Sequence, residues 1–211
     1  MTPSTLSDKS SRPKLAEFIA LIALLTSLAA LSIDMILPAL PDIATDLKVT
    51  DMRQTQWVIT ALILGMSFGQ MIFGPLADAY GRRFAILSGI VLFCLGSLLS
   101  MMATSMTMLL LGRVLQGFGV SGPRIASLAL VRDKFVGNAM ARVMSFVMMV
   151  FILVPMLAPM SGQGVLLFFN WRAIFALFVG LAIISAFWLV IRLPETLLAE
   201  NRRPFRFRAI L

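Results

Sequence analysis

The sequence contains no histidine, one cysteine and few charged residues. Without histidine there is no imidazole general base and no Ser–His or Cys–His nucleophile pair. A single cysteine, Cys94, midway along an apolar run, excludes an intrachain disulfide and a multi-cysteine zinc site. No glycine-rich Walker loop and no pairing of carboxylates is present, so neither nucleotide hydrolysis by that route nor paired acid–base chemistry is expected. The sequence implies no enzyme, no cofactor and no metal. Charged residues amount to 13%, against roughly a quarter in a soluble domain. Hydrophobic residues make up 59%, with a mean hydropathy of +0.94. Such a chain has too little polar surface to face water on all sides, and it folds only where lipid is its main solvent.

The apolar residues fall into runs of about 20, the length a helix needs to cross the hydrocarbon core. They predict six spans: Phe18–Leu40, Gln56–Leu76, Phe84–Ala103, Met106–Val131, Val143–Leu166 and Arg172–Leu193. The fold class is therefore an all-α membrane protein, a six-helix bundle over residues 18–193 with a polar leader at 1–17 and a basic segment at 194–211. The first span is too long for a signal-peptide core and is expected to remain as an anchor. The net charge of +8 comes from short basic runs between spans, the pattern that encodes topology rather than nucleic-acid binding. Thirteen of the 18 basic residues lie on one side: Lys9, Arg12, Lys14, Arg82, Arg83, Arg132, Lys134, Arg142, Arg192, Arg202, Arg203, Arg206 and Arg208. Lys48, Arg53 and Arg172 lie on the other. This asymmetry predicts that both termini are cytoplasmic. The segment after Pro194 is expected to be a tail touching anionic headgroups, or a linker toward further spans.

Ionisable groups within spans are costly and mark candidate sites. The fourth span carries Arg113 and Arg124, eleven residues or about three turns apart, so both project to nearly the same side. Gly112, Gly117, Gly119, Ser121, Gly122 and Pro123 accompany them. Asp34 is the one carboxylate well inside a span, at a depth similar to that of Arg113. Burial disfavours a carboxylate's charge, whereas a neighbouring guanidinium favours it. An Asp34–Arg113 pair could therefore exchange a proton when its partner moves, or serve as a static ion pair fixing helix register. Between the second and third spans stands Gly74-Pro75-Leu76-Ala77-Asp78-Ala79-Tyr80-Gly81-Arg82-Arg83, which as composition alone reads as a charged hairpin. Gly65 and Gly69 form a GxxxG pair, a weak sign of close packing. Pro155 and Pro159, with Gly162 and Gly164 following, predict a kinked fifth helix, either closely packed or acting as a gate. The fifteen methionines read mainly as apolar filling.

Together these strings resemble the major facilitator superfamily, and within it the drug/proton antiporters of the Bcr/CflA type. Gly74–Arg83 resembles the superfamily's loop signature, with Ala79 where Arg is often found. Arg113-Val114-Leu115-Gln116-Gly117 resembles its fourth-helix signature, whose Arg is associated with proton coupling. Asp34-Met35-Ile36-Leu37-Pro38-Ala39-Leu40-Pro41 is similar to the end of the first helix in this branch. Trp171–Phe175 and Leu193-Pro194-Glu195-Thr196-Leu197 are similar to the start and exit of the sixth. Ala158–Gly164 approximates the fifth-helix antiporter pattern with fewer glycines.

The resemblance implies the N-terminal six-helix half of a transporter that usually has two such halves. Its partners would be a small-molecule substrate, protons, the lipid of a bacterial inner membrane, and a second six-helix half or another copy of itself; nucleic acid is not among them. It further implies proton-driven export of small, often apolar or cationic compounds. Asp34 and Arg113 would couple protons, and Gln116 and Arg124 would line the substrate cavity. Gly74, Asp78, Gly81, Arg82 and Arg83 would form a cytoplasmic gate latched to the other half, and Pro155, Pro159 and Gly162 a helix-5 kink. Alternatives are an importer of a small metabolite or anion, to which two arginines on one face would be suited, and a truncated half that transports nothing without a partner. A lone half is expected to leave both arginines and the glycine-rich fourth-helix face without cover.

Overall fold

The computed structural model describes residues 15–49 and 51–193. The leader to Lys14 and the segment from Pro194, with its seven of the thirteen basic residues between them, lie outside the described residues. Among the described residues six helices are long and apolar enough to cross a membrane. The regular helices are α1 (Leu15–Asp34), α2 (Leu40–Asp46), α3 (Trp57–Tyr80), α4 (Arg82–Met101), α5 (Met106–Lys134), α6 (Gly137–Leu166) and α7 (Arg172–Arg192). Spans two to six match the expected runs with ends displaced by up to six residues, the largest at the start of α6, which begins at Gly137 rather than Val143.

The first span differs. It is expected to run unbroken to Leu40, but α1 stops at Asp34, and a 3-10 turn (Leu37–Ala39) leads into the short α2. Pro38 is the cause: it lies four residues beyond Asp34, has no N–H to give to the Asp34 carbonyl, and its ring would clash there. Pro41 then sits in the first turn of α2, where a missing N–H costs nothing. A helix end leaves its last carbonyls without intrahelical donors, and the end of α1 lies in the interior of the bundle, with Met35 and Ile36 fully covered.

α5 lies at the centre, between α3 and α4. Its glycines make this approach possible. A Cβ at Gly117 would sit 2.0 Å from the Leu62 carbonyl of α3, and one at Gly119 would sit 2.2 Å from the Phe93 amide of α4. The facing glycines reciprocate, Gly65 against the Val114 carbonyl at 2.0 Å and Gly96 against the Gln116 amide at 2.3 Å. Backbone touches backbone along both seams, as small residues permit. The glycine-rich face of α5 is thus covered by this chain's own helices, which corrects the expectation that it would be left open.

α6 packs against α1 and is the least covered span. Met149, Ile152, Met156 and Met160, on one face, are 60–72% exposed. It stays helical through Pro155 and Pro159. Gly162 meets the break in the first span, where a Cβ would lie 2.2 Å from the Met35 carbonyl. α7 covers α1 and α4. The α3–α4 connection is one residue, Gly81, with φ at +106°, a conformation open to glycine and strained for other residues.

Candidate functional site

Arg113 is the largest fully buried side chain among the described residues. Its Nη2 donates to the Ser32 carbonyl at 2.7 Å, its Nε to the Val58 carbonyl at 3.2 Å, and its Nη1 to Gln116 Oε1 at 2.7 Å. The Phe175 ring lies 5.8 Å from the guanidinium. Ser32 belongs to the last turn of α1, so Arg113 supplies a donor where Pro38 has ended the helix. Gln116 in turn donates from Nε2 to Ser97 Oγ at 2.8 Å, and Ser97 donates to the Phe93 carbonyl at 2.7 Å. One polar chain thus joins α1, α3, α5 and α4 through the core, and a satisfied network of this kind tolerates burial where an unpaired cation would not.

These contacts revise three expectations. Arg113 is not left uncovered, because backbone carbonyls and an amide satisfy it. Nor is it paired with Asp34: among the described residues Asp34 makes no ion pair, and it stands half-buried two residues beyond Ser32. Gln116 has no exposure, and in this conformation it holds Arg113 rather than lining a cavity.

Arg124 has a different setting. It lies about 16 Å further along α5, half-buried, with its guanidinium 6.0 Å from the Phe151 ring of α6. It lines a cleft of about 160 Å³ with Thr26, Leu128, Val147, Met148 and Phe151. The two arginines leave the helix toward the same side, as their spacing predicts, but only Arg113 is enclosed.

At the end of the bundle carrying the α3–α4 turn, Arg82 pairs with Asp78 and, at 2.9 Å, with Asp133 of α5. Arg83 donates to the Val190 carbonyl of α7 at 3.2 Å. Both arginines of the expected gate therefore have partners inside this chain. Gly74, where a Cβ would meet nothing within 4 Å, lines a cleft of about 340 Å³ beside Asp78, Arg82, Arg132 and Asp133. On the same end Arg192 pairs with Glu17 at 2.9 Å, and Trp188 donates to Glu17 at 3.1 Å. On the opposite end Arg172 pairs with Asp46 at 2.5 Å and donates to the Ala103 carbonyl at 2.9 Å. Asp133, Asp46, Glu17 and Ser97 were not among the expected site residues. The sequence signal for Asp133 is its place between Arg132 and Lys134, an acid within a basic run.

A bundle of spans with a broken first helix, a buried cation at its centre and charge clusters at both ends has the build of a membrane transporter. The family model of the Major Facilitator Superfamily matches residues 22–209, and the chain belongs to that superfamily. It is 39% identical over 186 residues to the uncharacterized MFS-type transporter YdgK of Bacillus subtilis, covering 87% of this chain and 46% of the relative. It is 36% identical to the bicyclomycin resistance protein homolog of Haemophilus influenzae, covering 92% of this chain and 48% of that one. The multidrug resistance protein MdtM of Escherichia coli is 27% identical over 87% of the chain. The fold is similar to the proton:xylose symporter XylE, with a TM-score of 0.77 at 15% identity over 86% of this chain and 45% of that one. It is also similar to the human organic anion transporter MFSD10, with a TM-score of 0.71 at 20% identity over 94% of this chain and 53% of that one. The chain spans about half the length of the curated relatives it matches, and its fold is the six-helix half of a major facilitator transporter.

Proposed function

We propose that the chain forms the N-terminal half of a proton-coupled antiporter that exports small drug-like compounds. It sits in a bacterial inner membrane with both termini cytoplasmic and catalyses no covalent chemistry. Residues 18–193 form the bundle, 1–17 a leader, and 194–211 a basic tail or the start of a linker to a second half.

The observation that carries this reading is the placement of Asp34 beside a capped helix end. Arg113 is held on the Ser32 carbonyl, while the carboxyl of Asp34, two residues on, has no ion-pair partner among the described residues. With Asp34 protonated, Arg113 rests on its carbonyls. Once Asp34 loses its proton, the carboxylate competes for the guanidinium and shifts the end of α1 against α5. Proton release is thereby coupled to helix movement, the step alternating access requires. Asp78, Arg82 and Asp133 then hold the cytoplasmic end of α3, α4 and α5 together while the halves rock. Pro155 and Pro159 let α6, whose outer face is uncovered, bend against the second half.

The test is drug-induced proton movement in inside-out vesicles carrying the chain together with a co-expressed second half. Asp34→Asn should abolish the proton signal with membrane insertion unchanged. Survival of the signal in that variant removes Asp34 from coupling. Uptake in place of efflux would favour a metabolite importer. A proton-coupled signal from a demonstrated monomer without the second half would refute the need for a partner.

A further inference from the structure

We propose that Arg124 and Phe151 form a binding site for the acidic group of an amphiphilic organic anion, a compound with one carboxylate on an aromatic or branched apolar body. This rests on the reading that the chain is part of a transporter whose cavity Arg124 lines.

Arg124 lies well inside α5 (Met106–Lys134), with about five turns of helix before it and nearly three after. An arginine at such depth is costly unless it is paired or faces a wet cavity. Among the described residues Arg124 has neither a hydrogen bond nor an ion pair; its guanidinium lies 6.0 Å from the centre of the Phe151 ring. Arg113, on the same helix, shows what a satisfied guanidinium looks like in this bundle, with all three nitrogens engaged.

The surroundings of Arg124 are selective. The cleft draws Thr26 from α1, Arg124 and Leu128 from α5, and Val147, Met148 and Phe151 from α6. No carboxylate stands among them, so the site has no counter-charge of its own and would repel a cation. Thr26 already donates its hydroxyl hydrogen toward the Ile22 and Ala23 carbonyls, at 2.9 and 3.0 Å. Arg124 is therefore the one strong donor in the cleft. A planar guanidinium pairs with a carboxylate through two parallel hydrogen bonds, which low polarity nearby strengthens. Phe151, Met148 and Val147 give the apolar body an aromatic face and a deformable thioether to pack on. With about 160 Å³ available, the cleft suits a ring system of one or two rings rather than a polymer or a long chain.

The experiment uses the full chain in nanodiscs of neutral phosphatidylcholine, with three probes sharing one body: 2-naphthoate, 2-naphthamide and 2-naphthylmethylammonium. Binding is read by ligand-observed NMR at equal free probe concentration. The wild-type chain should bind naphthoate at least tenfold more tightly than the amide or the ammonium. Arg124→Gln should erase that preference, whereas Arg124→Lys should keep part of it. Met148→Trp, which fills the cleft and leaves the charge, should weaken naphthoate and naphthamide alike. Equal binding of the three probes to the wild type would overturn the proposal. So would an anion preference that persists in Arg124→Gln, since the charge responsible would then lie elsewhere. Binding is measured without transport, so loss of proton-coupled efflux with the naphthoate preference intact would sink the antiporter reading and leave this site standing.

Discussion

Replacing Gly117 by alanine adds one methyl group at one of the two closest glycine approaches among the described residues. The new Cβ would lie 2.0 Å from the Leu62 carbonyl oxygen, where ordinary contact begins at 3.4 Å, so α3 and α5 must separate by about 1.4 Å. No side chain can turn aside, because the obstacle is backbone. Overpacking of this kind costs about 1–3 kcal/mol, and the upper end applies because the seam also contains Gly65, on the Val114 carbonyl. Gly74 supplies the control. It lies in the same helix as Gly65 with nothing near its missing Cβ, so Gly74→Ala should be neutral or should stabilise by up to about 1 kcal/mol through helix propensity. Unfolding in mixed micelles with increasing dodecyl sulfate, followed by circular dichroism, measures both variants against the wild type. Gly117→Ala should lower the midpoint clearly while Gly74→Ala does not. Equal midpoints for the two would refute the backbone-contact reasoning.

The Arg82–Asp133 pair joins α4 to α5 at 2.9 Å, with Asp133 about one quarter exposed. A double-mutant cycle with Arg82→Gln and Asp133→Asn should yield a coupling of about 0.5–1 kcal/mol in the same unfolding assay, and less at high salt. Topology is tested by thiol labelling in a Cys94→Ser background: Asn138→Cys, at the Arg82 end, should react only from the cytoplasm, and Thr104→Cys only from outside. The reverse pattern would invert the orientation.

The spans were legible because lipid imposes a minimum apolar length that the sequence displays without help from tertiary structure. The break at Pro38 was legible in principle, since a proline four residues after Asp34 removes that carbonyl's donor. The unbroken apolar run to Leu40 masked it. The partners of Arg113 were not legible. Two of its three acceptors are backbone carbonyls, at Ser32 and Val58, and every residue has one, so sequence offers no mark of which will be used. Asp34 stood out as a partner because it is the lone carboxylate at that depth, yet helix packing places Ser32 under the guanidinium instead. Asp133 went unremarked because it is 51 positions from Arg82, and only the course of α5 brings them together. The GxxxG spacing at Gly65 and Gly69 was a weak signal whose weight became apparent once α5 was seen to carry the matching glycines.

The Glu17–Arg192 pair, reinforced by Trp188, has a consequence for chain connectivity. It brings the beginning of the first span and the end of the sixth side by side at one membrane surface. A link between those points need be only a few residues long and need not pass over or through the bundle. The unit is thus suited to circular permutation, with residues 17 and 192 joined and new ends opened in an exposed loop. It is equally suited to tandem fusion, since a second six-helix unit can follow the first on the same surface with an unknotted connection. A bundle whose ends lay on opposite membrane faces would allow neither without an extra span.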